Sequence, residues 1–175
     1  MRKQIETHFP IVVANSCLQT VTDKSFGIAE PYEDKGGKSI IVSKENCDFA
    51  VDNPQKKEVT FWAIDDCTFT SSEGKRCDFA LFDDETIAFA EIKRSGKKQR
   101  NAVRTEATGQ LSAMLEQCQG KLDFKDYRLL AIIALTFEKS YPIAKTRKQD
   151  AELTFFNKYR AQLLEGNGIT FPFTP

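Results

Sequence analysis

The stretch Cys77-Asp78-Phe79-Ala80-Leu81-Phe82-Asp83-Asp84-Glu85-Thr86-Ile87-Ala88-Phe89-Ala90-Glu91-Ile92-Lys93 decides the architecture. Two apolar runs flank an acidic turn, Asp83-Asp84-Glu85, so residues 77–82 and 86–93 are expected to form a β-hairpin. Side chains alternate faces along a strand, so Glu91 and Lys93 point the same way, about 7 Å apart. Asp78 lies on the partner strand. If the loop is Asp83-Asp84 alone, Asp78 faces Phe89 and Glu91 is its diagonal neighbour at about 7–8 Å. If the loop has four residues, Asp78 faces Glu91 directly. Any even loop puts both carboxylates on one face, and an odd loop or a bulge separates them.

Downstream, residues 94–101 form a basic connector. A helix follows to about Gln119, with Val103, Ala107, Leu111, Met114, Leu115 and Cys118 on one face and Gly120 as its stop. Tyr127 to Phe137 is an almost unbroken apolar run, which suits a strand covered on both faces. Lys148 to Glu165 reads as a second amphipathic helix, with Leu153, Phe156, Tyr159 and Leu163 as its stripe and Gly166-Asn167-Gly168 as its end. Ile169 to Phe173 reads as an edge strand. Upstream, Ser39–Ser43 and Val59–Ile64 read as strands, and Ile11-Val12-Val13 as a strand or a short helix. Residues 34–38 read as a turn and 71–75 as a loop. Cys47-Asp48-Phe49-Ala50-Val51 echoes Cys77-Asp78-Phe79-Ala80-Leu81 and reads as a second, similar strand opening. The expected fold is α/β: one domain over residues 1–175, with a mixed central β-sheet flanked by helices, since a hairpin forbids an all-parallel sheet. Residues 1–57 and the helix 148–165 elaborate a core at about 58–137.

The chain has 175 residues, and its 25 Lys+Arg balance its 25 Asp+Glu. Nucleic-acid binding would therefore need a local patch rather than an overall positive charge. A single histidine, His8, argues against chemistry that requires two imidazoles. There is no Gly-rich phosphate loop. The apolar runs are too short for a signal core or a membrane span, so the expectation is no membrane and a cytoplasmic location. Five cysteines, at 17, 47, 67, 77 and 118, form no CxxC pair and are read as reduced thiols. Asp65-Asp66 could add acidic ligands, and turn formation explains the pair as well. The tail Phe171-Pro172-Phe173 is expected to dock on the body or on a partner.

Asp78, Glu91 and Lys93 carry the chemistry. Two carboxylates meeting among apolar neighbours repel, and a cation relieves them. Oxygen ligands on a rigid sheet suit Mg²⁺ or Mn²⁺. A neighbouring lysine can orient or deprotonate an attacking water, which assembles the parts for hydrolysing a phosphodiester. Acid-x-Lys occurs four times here, but only Glu91/Lys93 ends an alternating strand with an aspartate at hairpin distance. Lys93, Arg94, Lys97, Lys98, Arg100 and Arg104 cluster between the strand and the helix, and no acid lies between Lys93 and Glu106. That basic cluster suits contact with a phosphate backbone.

In these residues the chain resembles the PD-(D/E)xK nuclease superfamily, the restriction-endonuclease-like fold. The matching residues are Asp78 within Arg76-Cys77-Asp78-Phe79, then Glu91-Ile92-Lys93, then a helix; Cys77 stands where the motif has proline. The resemblance covers roughly residues 58–137. It implies a divalent metal at Asp78, Glu91 and the Ile92 carbonyl, Lys93 as the catalytic lysine, and Gln110 on the following helix in support. An upstream acid is a further implication, with Glu30, Glu33 and Glu45 as candidates. It also implies a DNA endonuclease of a prokaryotic defence, restriction or repair system, working as a homodimer or in a larger complex. The alternative is an inactive relative that serves as an assembly or immunity subunit.

Overall fold

The acidic turn closes a hairpin that pairs Phe82 with Ile87 and Phe79 with Ala90. The loop therefore has four residues, and the paired register ends at Phe79 and Ala90, one residue short of Asp78. Asp83 shapes the turn: its Oδ1 accepts the backbone N–H groups of Glu85 (2.9 Å) and Thr86 (2.7 Å).

A computed structural model describes residues 1–31, 37–70, 72–94, 100–136, 144–145 and 149–173 of the chain, with 144–145 and 149–151 as backbone. Two helices open it, α1 (Arg2–His8) and α2 (Ile11–Ala14), followed by strands β1 (Leu18–Val21), β2 (Ser25–Ala29), β3 (Ile40–Val42), β4 (Phe49–Asp52) and β5 (Val59–Ala63). The hairpin is β6 (Phe79–Phe82) and β7 (Thr86–Lys93). Helix α3 (Arg100–Cys118) leads to β8 (Arg128–Leu135), and β9 (Ala144–Lys145), α4 (Gln149–Tyr159), β10 (Gln162–Glu165) and β11 (Gly168–Thr170) follow.

The fold is mixed α/β, with two mixed sheets flanked by helices. One sheet has seven strands in the order β1-β5-β6-β7-β8-β10-β9, and the other has four, β11-β4-β2-β3. From β1 to β7 each pairing is antiparallel, while β7–β8 and β8–β10 are parallel. The β7–β8 pairing needs a crossover, and α3 supplies it. Both strands are buried almost throughout, as their unbroken apolar runs require. On one face of the large sheet Trp62 and Phe89 pack together and Phe9 packs on Trp62. On the other, Phe79 meets Phe49 of β4 with ring centroids 5.4 Å apart.

Several expectations are corrected. Helix 148–165 stops at Tyr159, where Arg160 turns into the left-handed region at φ 58. Residues 162–165 are instead a strand, in parallel register with β8 through Leu163 and Ala131. The expected stripe therefore breaks up: Leu153 is 61% exposed and Phe156 47%, while Phe155 is buried. Ile11-Val12-Val13 is helical, and strands β1 and β2 fill the region that periodicity left blank. The reading of five reduced thiols fails for two of them, since Cys17 and Cys67 form a disulfide across 50 residues. The pairing of Leu18 with Trp62 brings the two segments together, and no local spacing announces such a contact. The tail docks as expected: Phe171 is buried, and the Phe173 carbonyl accepts from Arg128 (2.8 Å). The turn at 34–38, Ser71, Ser95-Gly96, Phe137 and Lys148 lie wholly or partly outside the described residues. Among the described residues no helix is long and apolar enough to cross a membrane.

Candidate functional site

Asp78 stands one residue before β6 and Glu91 near the end of β7, both almost fully buried at 4% and 1% exposure. The Asp78 backbone N–H donates to Ala90 O (3.2 Å), the residue that Phe79 already faces, so the ladder is offset by one residue at Asp78, and the Asp78 Oδ2 accepts the Ile92 N–H (2.5 Å). The N–H and C=O of one strand residue point to the same side, so the Ile92 carbonyl also lies toward Asp78. Lys93, two positions beyond Glu91 on the same face, sets its Nζ 2.9 Å from Glu91 Oε1 and 2.9 Å from Glu106 Oε1 of α3. Glu91 Oε2 is buried with no hydrogen-bond partner.

Of the three upstream acids, the site holds Glu30. Its carboxyl lies close enough to Asp78 for each to shift the other. Glu45 is exposed on a turn, and Glu33 lies outside the described residues. Burial, then the nearby Glu91 and Glu30, push the Asp78 carboxyl well above the carboxylate range. Burial likewise raises Glu91 to about 7 against the opposing pull of Lys93, and raises Glu30. Burial opposes the charge on Lys93, yet Glu91 and Glu106 hold its ammonium above the usual lysine value. Cys77 is buried beside these acids, and its thiol is pushed up strongly by burial. It is thus no candidate nucleophile.

A cleft of about 260 Å³ adjoins the cluster, lined by Asp65, Gly74, Lys75, Arg76, Glu106 and Gln110. The buried carboxylates stand behind it, and Lys93 and Glu106 link them to its wall. Gln110 donates Nε2 to the Arg76 carbonyl (3.2 Å), just ahead of Asp78, and its Oε1 is buried without a partner. Gln110 thus reaches the segment that carries Asp78.

The basic cluster does not present a row of free cations. Arg94 pairs with Asp48 and donates to the Glu30 carbonyl (2.6 Å). Arg100 and Arg104 both pair with Glu165 (3.0 and 2.6 Å). Lys97 and Lys98 lie outside the described residues. The acids that balance these arginines come from distant strands, where linear charge spacing did not find them. The echo of Cys77-Asp78-Phe79-Ala80 at Cys47-Asp48-Phe49-Ala50 was the one signal that could have flagged Asp48.

Among the described residues no three His, Cys, Asp or Glu side chains form a ready-made ligand cluster. Mg²⁺ does not require one: it is commonly held by one or two carboxylates, with waters completing the shell. Comparison with family models, with curated proteins and with solved structures finds no match.

Proposed function

We propose that the chain is a metal-dependent nuclease of the PD-(D/E)xK type, with a restriction-endonuclease-like core, that hydrolyses phosphodiester bonds of DNA in the cytoplasm of a prokaryotic defence, restriction or repair system. One observation carries the reading: the Asp78 carboxyl accepts the Ile92 N–H, next in the chain to Glu91, and the Lys93 ammonium sits on Glu91. The unpartnered Glu91 Oε2 and the crowding of the buried Asp78 by Glu91 and Glu30 mark a deficit of positive charge, which suits a divalent cation. Asp78, Glu91 and the Ile92 carbonyl would hold Mg²⁺ or Mn²⁺. When bound, the ion would polarise a phosphate oxygen and stabilise charge on the leaving oxygen.

The protein's own groups supply the rest. Lys93 has its ammonium at the edge of the cleft, where it orients a water for in-line attack. Glu106 fixes that ammonium from the helix side. Gln110 anchors the Arg76 carbonyl and thereby sets the approach of Asp78. Lys75 lines the cleft as an exposed cation for a phosphate oxygen. In the test, the full chain is incubated with plasmid and single-stranded DNA, with Mg²⁺ or Mn²⁺ and with chelator. Cleavage should require the metal and vanish in Asp78→Ala and Lys93→Ala while both variants stay folded. Activity that survives both substitutions belongs to another site.

A second reading has its own support. Burial of both carboxylates and the internal pairing of Arg94, Arg100 and Arg104 suit an inactive relative that acts as an assembly or immunity subunit, as a homodimer or in a larger complex. Metal-independent folding with no cleavage would favour it.

A further inference from the structure

We propose that the Cys17–Cys67 disulfide is a redox-operated latch on the wall of the cleft, opened by a dithiol reductant to release the turn at residues 64–70 from Asp78. Its consequence for catalysis rests on the nuclease reading; the loosening of the turn does not.

The covalent link joins two segments that already touch. Cys17 follows α2, and its carbonyl accepts the Ala63 N–H (2.9 Å), while Asn15 donates to the Cys67 carbonyl (2.9 Å). The half-cystine Cα atoms are 5.8 Å apart, ordinary reach for a disulfide. From Cys67 the connection runs straight to the site. The N–H groups of Ile64 and Asp65 both donate to the Asp78 carbonyl, at 3.0 and 3.1 Å. The Asp65 carboxylate holds the Arg76 side chain, and the Arg76 carbonyl accepts from Gln110. Asp65 and Arg76 are themselves walls of the cleft.

The backbone beside each half-cystine is held in an unfavourable state. Ser16 and Asp66, the residues just before Cys17 and Cys67, have φ values of 52 and 51. A non-glycine residue there is strained and persists only when its surroundings fix it. Opening the bridge removes one of those constraints at both places. Disulfides in reducing compartments are mostly transient and redox-sensing, which suits the cytoplasmic location proposed above.

The chemistry balances. A thiolate of the dithiol attacks the Cys67 sulfur, the Cys17 thiolate leaves and takes up a proton, and a mixed disulfide forms. The second thiol of the reductant then displaces the Cys67 thiolate, which is protonated in turn. The cysteine pair gains two electrons, and the reductant becomes a cyclic disulfide. Both sulfurs are buried, so attack waits on opening of the turn.

The test compares the air-oxidised full chain with the chain treated with dithiothreitol, the bridge being scored by alkylation and mass spectrometry. Amide hydrogen exchange is then read residue by residue. In the reduced chain the Ile64, Asp65 and Thr68 amides should lose at least tenfold in protection, while Ala88 and Ala131 in the central sheet keep theirs. Cys17→Ser should reproduce that pattern; if it fails to fold, the reduction arm decides. Equal protection in both forms overturns the latch. So does a loss spread evenly over the sheet, which marks a staple of the whole fold, and so does a pair that never links in air. Absence of cleavage alongside the local exchange change counts against the nuclease reading alone.

Discussion

Cys47-Asp48-Phe49-Ala50 and Cys77-Asp78-Phe79-Ala80 are the same four residues at the openings of two strands, yet their aspartates end in opposite electrostatic states. Asp48 is paired with Arg94 and accepts the Glu30 N–H (3.1 Å). Asp78 accepts the Ile92 N–H with Glu91 and Glu30 nearby, and among the described residues no cation pairs with it. Glu30 joins the two: its backbone serves the Asp48–Arg94 pair, and its carboxyl serves Asp78. A local sequence thus sets where the carboxylate stands, and a tertiary partner decides whether its charge is answered. Asp48 is answered from within and is structural. Asp78 is not, and the proposed metal would answer it from outside.

The sharpest way to break the comparison is to remove each aspartate's charge. Asp78→Asn keeps an acceptor for the Ile92 N–H, so the fold should persist, while cleavage should fall by about 10³-fold or more, as for loss of an electrostatic element of a transition state. Asp48→Asn should leave cleavage within tenfold of wild type wherever it stays folded. Equal losses in the two variants would erase the distinction.

Next in size is the pH dependence. Glu91 titrates at about 7 in the folded chain against 4.5 as its ordinary value. Between those values the unfolded chain releases a proton that the folded chain keeps, so each rise in pH favours unfolding. Urea unfolding should show a stability contribution that is fully present below pH 4.5 and lost by about pH 7, roughly 3 kcal/mol at most. Glu91→Gln should flatten this slope. An unchanged slope in that variant would assign the effect elsewhere.

Smaller still, Asp48→Ala should cost about 2 kcal/mol, because it takes the carboxylate from a partly buried Arg94 and leaves it the Glu30 carbonyl. Gln110→Ala should cost about 1 kcal/mol through its lost bond to the Arg76 carbonyl.

The hairpin was legible because alternation is a local property; the offset at Asp78, whose N–H donates to Ala90 O, was not. The apolar periods of α3 and β8 gave those elements for the same reason. The strand at 162–165 was not legible: Gln162-Leu163-Leu164-Glu165 continues a helical pattern, and only its parallel pairing with β8 makes it a strand. Within the site, Asp78, Glu91 and Lys93 came from spacing, and Gln110 came from resemblance. The choice of Glu30 over Glu45 did not, because β2 reaches Asp78 through the packing of two sheets. The partners of Arg94 and Arg104 were hidden likewise, 46 and 61 residues away in the chain.

The most direct test is thermal unfolding at pH 7 during titration with Mn²⁺. If Asp78 and Glu91 lack a cation that the ion provides, the wild-type midpoint should climb with concentration, by about 5 °C or more at a hundredfold excess over the dissociation constant. Asp78→Asn and Glu91→Gln should show no climb. A wild-type midpoint indifferent to Mn²⁺, or an equal climb in the two variants, would contradict the account.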